Sequence, residues 1–189
     1  GMIVGGILGA VSGYYGGWLD NLIMRAMDIL LSIPSILLAI AIAASLGPGV
    51  VNIMIAIGIS SVPQYARIVR GSVLSIRSQQ FVIAARAVGG RDFHIIFKHI
   101  LPNCMAPIIV QATLGVAWAI LNTAGLSFIG LGIQPPIPEW GAMLSSGRNY
   151  IRDFSYMTLF PGLAIMITIL ALNFVGDGLR DALDPKMKR

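Results

Sequence analysis

The sequence predicts an all-α membrane protein, a polytopic helical bundle interrupted by one charged loop, and three observations predict it. Apolar side chains make up 56% of the 189 residues against 11% charged, and a mean hydropathy of +0.82 is too high for an ordinary soluble domain. The apolar residues gather into stretches long enough to cross a bilayer, which takes roughly 20 residues of helix. The 13 basic residues fall between those stretches instead of being spread evenly.

Met2 to Trp18 is a glycine-laden apolar run, short for a full span, and reads as the inner part of a helix in a chain that lacks its N-terminal portion. It has neither the basic start nor the cleavage site of a signal peptide. Gly5, Gly9, Gly13 and Gly17 recur at every fourth position, a stripe that lets another helix approach closely. Gly16 to Asp28 is a polar connection carrying Asp20, Asn21, Arg25 and Asp28. Ile29 to Leu46 is a span about 27 Å long at helical rise, with Pro34 kinking it near one end.

Leu46-Gly47-Pro48-Gly49 is a tight turn, so a second span returns at once from Val50 to about Tyr65 and meets the surface at Arg67 and Arg70. Met105 to about Ser127 is a third span. Its polar residues Gln111, Gly115, Trp118 and Asn122 share one side, either lining a water-filled path or packing against another helix. Gly130 to Asp153 is a turn-rich loop with Pro135, Pro136 and Pro138, and its Trp140 and Tyr150 suit a membrane–water interface. Tyr156 to Val175 is the last span, followed by Gly176-Asp177-Gly178 and a tail ending in Lys186, Lys188 and Arg189.

Between the second and third spans lies Ser78 to Asn103, SQQFVIAARAVGGRDFHIIFKHILPN, too charged to cross a membrane. It reads as two short helices with a hinge. Phe81, Ala84, Ala85 and Val88 share the face of the first, with Arg86 pointing elsewhere, and Gly89-Gly90 ends it. Asp92 opens the second, where negative charge is favoured, and Phe93, Ile96, Phe97, Ile100 and Leu101 form its apolar face until Pro102 stops it. A small helix pair held at a membrane surface has the form of a docking element.

Alternating the spans puts Arg148 and Arg152 on one side and all the other basic residues on the opposite side. By the positive-inside rule the 78–103 loop and the C-terminus are cytoplasmic. The composition excludes several function classes. No G-x-x-x-x-G-K-[ST] loop exists to cradle nucleotide phosphates, so any ATP motor belongs to a partner. His94 and His99 are five apart and so on different helical faces; with Cys104 as the single cysteine, a metal site is not expected. No serine sits in a G-x-S-x-G elbow, and the basic residues form no aromatic-interleaved patch for nucleic acid. Asp177 and Asp181 beside Arg180 read as a hydrated exit from the membrane.

The central loop carries a resemblance. Ala84, Ala85 and Gly89, followed by Ile100, Leu101 and Pro102, resemble the cytoplasmic "EAA" loop of ATP-binding-cassette (ABC) importer permeases. The stretches AVSGYYGGWLDNLIMRAMDILLSIP, LSFIGLGIQPPIPEWGAML and NFVGDGLRDALDP are similar to the second, "C"-type permease subunit of dipeptide and oligopeptide importers, a group that also handles nickel and glutathione. The resemblance implies a type I ABC importer transmembrane domain over residues 1–189, with a coupling loop at 78–103 and an extracytoplasmic loop at 130–153.

It further implies a complex with a second permease subunit, two ABC ATPase subunits or domains that bind ATP and Mg, and an extracytoplasmic substrate-binding protein. This chain itself would bind no cofactor and catalyse nothing. Phe81, Ala84, Ala85, Arg86, Val88 and Gly89 would contact the ATPase; Phe93, Phe97, Ile100, Leu101 and Pro102 would pack the loop under the spans. The family usually has glutamate where this chain has Ile83, which leaves no carboxylate there for an ion pair to the ATPase. A peptide is the expected cargo, with nickel or glutathione as the alternative. A stand-alone secondary transporter, the reading from a different class, would call for charges buried in mid-span or an inverted repeat.

Overall fold

The computed structural model describes residues 1–183, so the charges at Lys186, Lys188 and Arg189 lie outside the described residues. Among the described residues the chain is helical and forms no strand. Helices α1 (Met2–Tyr15), α2 (Gly17–Leu31), α3 (Ser35–Leu46) and α4 (Val50–Ile76) are followed by the short α5 (Gln80–Ala87). Then come α6 (Asp92–Phe128), α7 (Trp140–Gly147) and α8 (Tyr156–Leu183).

By length and composition α6, with 37 residues, and α8, with 28, can each cross a membrane. In both, only 17% of the apolar window is buried within the chain, so most of that surface is left for lipid or other subunits. The expected span Ile29–Leu46 is not one helix. α2 stops at Leu31 and α3 starts at Ser35, because Pro34 has no N–H to continue the ladder and drives Ile33 out of helical geometry. The polar connection around Asp20 is accordingly helical, as part of α2. The helix of the second expected span continues past Tyr65: α4 runs through Pro63 to Ile76, and its second half carries Gln64, Arg67 and Arg70.

The chain divides into two compact units. One comprises Gly1–Ile33, Ser61–Ala112 and the chain from Leu179; the other comprises Pro34–Ser60 and Thr113–Gly178. In the first, α1 lies directly on α4. A Cβ at Gly5 would stand 2.6 Å from the Val62 carbonyl oxygen, one at Gly13 would stand 2.9 Å from Val73 Cβ, and one at Gly9 would collide with the Ala66 carbonyl. The glycine stripe is therefore a packing seam. Gly17 is outside it, since the chain turns at Gly16 with φ 68° and nothing lies within 4 Å of Gly17.

The second unit is built on Ala39 and Ala43 of α3, Ile53 and Ala56 of α4, and Leu126 of α6. The turn between α3 and α4 is closed by Asn52, whose Nδ2 donates to the carbonyls of Leu46 at 2.9 Å and Gly47 at 3.1 Å. In the 130–153 loop, Glu139 caps α7 by accepting from the Ala142 N–H at 2.7 Å. Gly141 brings α7 against the backbone of α6 at Ala124, 2.6 Å from Cα for an added Cβ.

Candidate functional site

The loop between α4 and α6 hangs from the core of the first unit. α5 contributes Val82, fully buried, and α6 contributes Ile95 and Ile100; they pack with Ala10 and Tyr14 of α1 and Val69, Val73 and Ile76 of α4. α5 ends in a Schellman motif: the Gly90 N–H donates to the Ala85 carbonyl and the Gly89 N–H to the Arg86 carbonyl, both at 3.0 Å. Gly89 takes φ 80°, as that motif requires, and Gly90 lies so close to α5 that a Cβ would stand 2.6 Å from the Ala85 oxygen. The expected hinge is thus a defined turn.

Pro102 does not stop the second helix. The segment Ile95–Ile100 is a π turn, with the Leu101 N–H bonded to the carbonyl of Ile96, and the helix continues through Pro102 to Phe128. A proline ring clashes with the carbonyl four residues back in an α-helix, and the wider turn just before it relieves that clash. The turn also resets the buried face. Ile95, Ile100, Cys104 and Ile108, spaced by five and then four, form the buried line, with Ile96 buried beside it as expected.

Phe93 and Phe97 lie off that line within this chain, 71% and 54% exposed, with ring centroids 4.3 Å apart. Leu101 packs partly against the core and Pro102 is exposed. The same five-residue turn brings His94 and His99 together edge to face at 5.7 Å, although α-helical spacing puts them on different faces. Among the described residues no group of three metal-ligating side chains is present.

The outer surface of α5 is apolar and open. Phe81 is 40% exposed, Ile83 57% and Val88 85%, with Ala84, Gly89 and the Arg86 side chain also exposed and Ala85 half-buried. Sequence periodicity missed Ile83 as part of this surface and Val82 as its anchor. On α6, Gln111, Gly115 and Asn122 are half-buried and Trp118 is 63% exposed. Asn122 Nδ2 is turned back on its own helix, donating to the Trp118 carbonyl at 2.8 Å. In the second unit a cavity of about 480 Å³ opens beside Pro135, Pro138, Met143, Tyr156 and Phe160; it is lined mainly by apolar groups, and its Glu139 is occupied in capping α7.

Polar contacts brace the first unit around the loop. Asp20 of α2 takes a two-pronged ion pair from Arg70 of α4, both contacts at 2.6 Å, and Ser12 donates to the same carboxylate. Arg67 meets Asp28 at 2.6 Å. Arg77 donates to the Gly13 and Tyr14 carbonyls at 2.8 and 3.3 Å, closing the C-terminal end of α1 with a cation.

Residues 3–189 match the family described as binding-protein-dependent transport system inner membrane component. The dipeptide transport system permease protein DppC of Alkalihalophilus pseudofirmus is 57% identical over 187 residues, covering 99% of this chain and 62% of that protein. The di/tripeptide transport system permease protein DppC of Pseudomonas aeruginosa is 51% identical with the same coverage. The glutathione transport system permease protein GsiD of Pectobacterium atrosepticum is 47% identical over 188 residues, covering all of this chain and 62% of that protein. The chain thus spans about three-fifths of the length of these relatives. Among solved structures, an inward-facing MetNI methionine ABC transporter superposes with a TM-score of 0.61 over 97% of this chain and 91% of that one. At 18% identity this likeness establishes the fold.

Proposed function

The chain belongs to the family of binding-protein-dependent transport system inner membrane components, and from that membership we propose that it is the permease subunit of an ATP-driven importer of short peptides. In this reading residues 1–189 are one permease domain, 78–103 its cytoplasmic coupling loop and 130–153 its extracytoplasmic loop. The C-terminus is cytoplasmic. The chain is non-catalytic: partner ATPase subunits bind ATP and Mg, a second permease completes the path, and a binding protein delivers the cargo.

One observation carries the coupling role. α5 keeps Val82 in the core while its outer face presents Phe81, Ile83 and Val88 to solvent. An apolar knob on a charged loop is costly in water unless a cleft covers it, and an ATPase cleft is the occupant proposed. Phe81, Ala84, Ala85, Arg86, Val88 and Gly89 form that contact. Phe93, Phe97, Ile100, Leu101 and Pro102 then seat the loop beneath the spans of the assembled complex. Gln111, Gly115, Trp118 and Asn122 are proposed to line the path.

The test is ATP hydrolysis in proteoliposomes by the full-length chain with its partner permease and ATPase subunits, binding protein being added with and without a dipeptide. Peptide-dependent stimulation that disappears in Gly89→Val, with membrane insertion retained, is the expected result. A Gly89→Val complex that transports at the wild-type rate refutes the docking role. Glutathione, itself a short peptide, is the second reading, favoured by the GsiD relative at 47% identity. Loading the binding protein with glutathione in the same assay separates the two cargoes.

A further inference from the structure

Tyr14 is a point at which both halves of the loop meet the body of the first unit. Its ring is buried, 6% exposed, among Val73, Val82 and Ile95. Its hydroxyl donates to Asp92 Oδ1 at 2.6 Å, a contact between residues 78 apart in the chain, and Asp92 is the first residue of α6. The Arg86 guanidinium, in the last turn of α5, lies over the same ring 5.3 Å from its centroid. One side chain therefore touches the end of α5 and the start of α6, on either side of the Gly89-Gly90 turn. The backbone of the same residue is held from the residue that follows α4, through Arg77 on the Gly13 and Tyr14 carbonyls.

We infer that Tyr14 is a positioning residue for the loop, holding α5 and α6 in one orientation and fastening both to α1 and α4. The physical need is stiffness. The Schellman turn is closed by two backbone hydrogen bonds, and its two glycines bring no side chain to tie α5 to α6, so part of a force applied to α5 would be absorbed there. A buried ring that contacts both flanking helices removes that compliance, so displacement of α5 is passed to α1 and α4. The direction of this transmission rests on the importer reading; the tie itself does not.

The experiment uses the assembled complex in nanodiscs, carrying Tyr14→Phe, Asp92→Ala or both. Tyr14→Phe keeps the packing and the face beneath Arg86 and removes the bond to Asp92. Backbone amides of residues 80–92 are expected to exchange hydrogen about tenfold faster in Tyr14→Phe, with those of α4 unchanged. Peptide taken up per ATP hydrolysed falls severalfold while hydrolysis itself continues, and the double variant is no worse than either single one. Unaltered exchange, unaltered uptake per ATP, or additive losses in the double variant each overturn the inference. A wild-type complex without peptide-dependent hydrolysis would remove the importer reading, and the exchange measurement would then decide the tie alone.

Discussion

Two ion pairs of equal length sit in different surroundings. The Arg70–Asp20 pair has side chains 33% and 13% exposed and a second donor in Ser12, whereas the Arg67–Asp28 pair is 52% and 45% exposed. Water screens the second and much less the first. Asp20→Ala is expected to destabilise the fold by about 2 kcal/mol or more and Asp28→Ala by less than about 1 kcal/mol; thermal unfolding in detergent compares them, and equal losses would show that burial is not the deciding factor. Small residues allow a similar contrast. Gly9→Val drives a side chain into the Ala66 carbonyl and Val69 of α4 and should cost about 2 kcal/mol or more. Gly6→Ala, with nothing within 4 Å, should be neutral or stabilise by up to about 1 kcal/mol. The stripe was legible in the sequence because its spacing is local; its mate α4 was not, since nothing in a glycine names what it touches.

Elements are where sequence reasoning and structure part. Alpha-helical spacing groups Phe93, Ile96, Phe97, Ile100 and Leu101 on one face; Ile96 and Ile100 are buried and Leu101 packs against the core, but around the π turn at Ile95–Ile100 Phe93 and Phe97 are left exposed and Ile95, Cys104 and Ile108 join the buried face. One widened turn shifts the phase of everything after it. Pro102 marked the place, but its effect depends on how the preceding carbonyls are arranged. The Gly89-Gly90 turn yields a sharper prediction, because each glycine is needed for its own reason. Gly89 has open space and φ 80°, while Gly90 sits against the Ala85 carbonyl. Asparagine tolerates the left-handed region but still carries a Cβ. In the proposed importer complex, Gly89→Asn should therefore retain most peptide-stimulated ATP hydrolysis, and Gly90→Asn should lose it. The reverse order would show that the turn is governed by something other than backbone conformation and contact.

For the whole molecule, the basic residues predict sidedness that accessibility can check. Cys104, the single native cysteine, is fully buried and serves as a silent background. In the chain without ATPase subunits, Val88→Cys, at a position 85% exposed, should react with an impermeant maleimide only from the cytoplasmic side, and Ile151→Cys, at 59%, only from the other. Labelling of both from one side would overturn the alternation of spans.

The sequence by itself determined the all-α membrane class, the apolar stretches, the place of the charged loop between them and the family resemblance. Hydropathy, charge and short motifs are sums over neighbouring residues and need no fold to be read. Only the tertiary structure decided that Pro34 breaks a span instead of bending it, that α4 runs on to Ile76, which face of α6 is buried, and that Tyr14 reaches Asp92. Those outcomes depend on helical phase and on which distant segments share a core, and both are set by contacts between residues far apart in the chain.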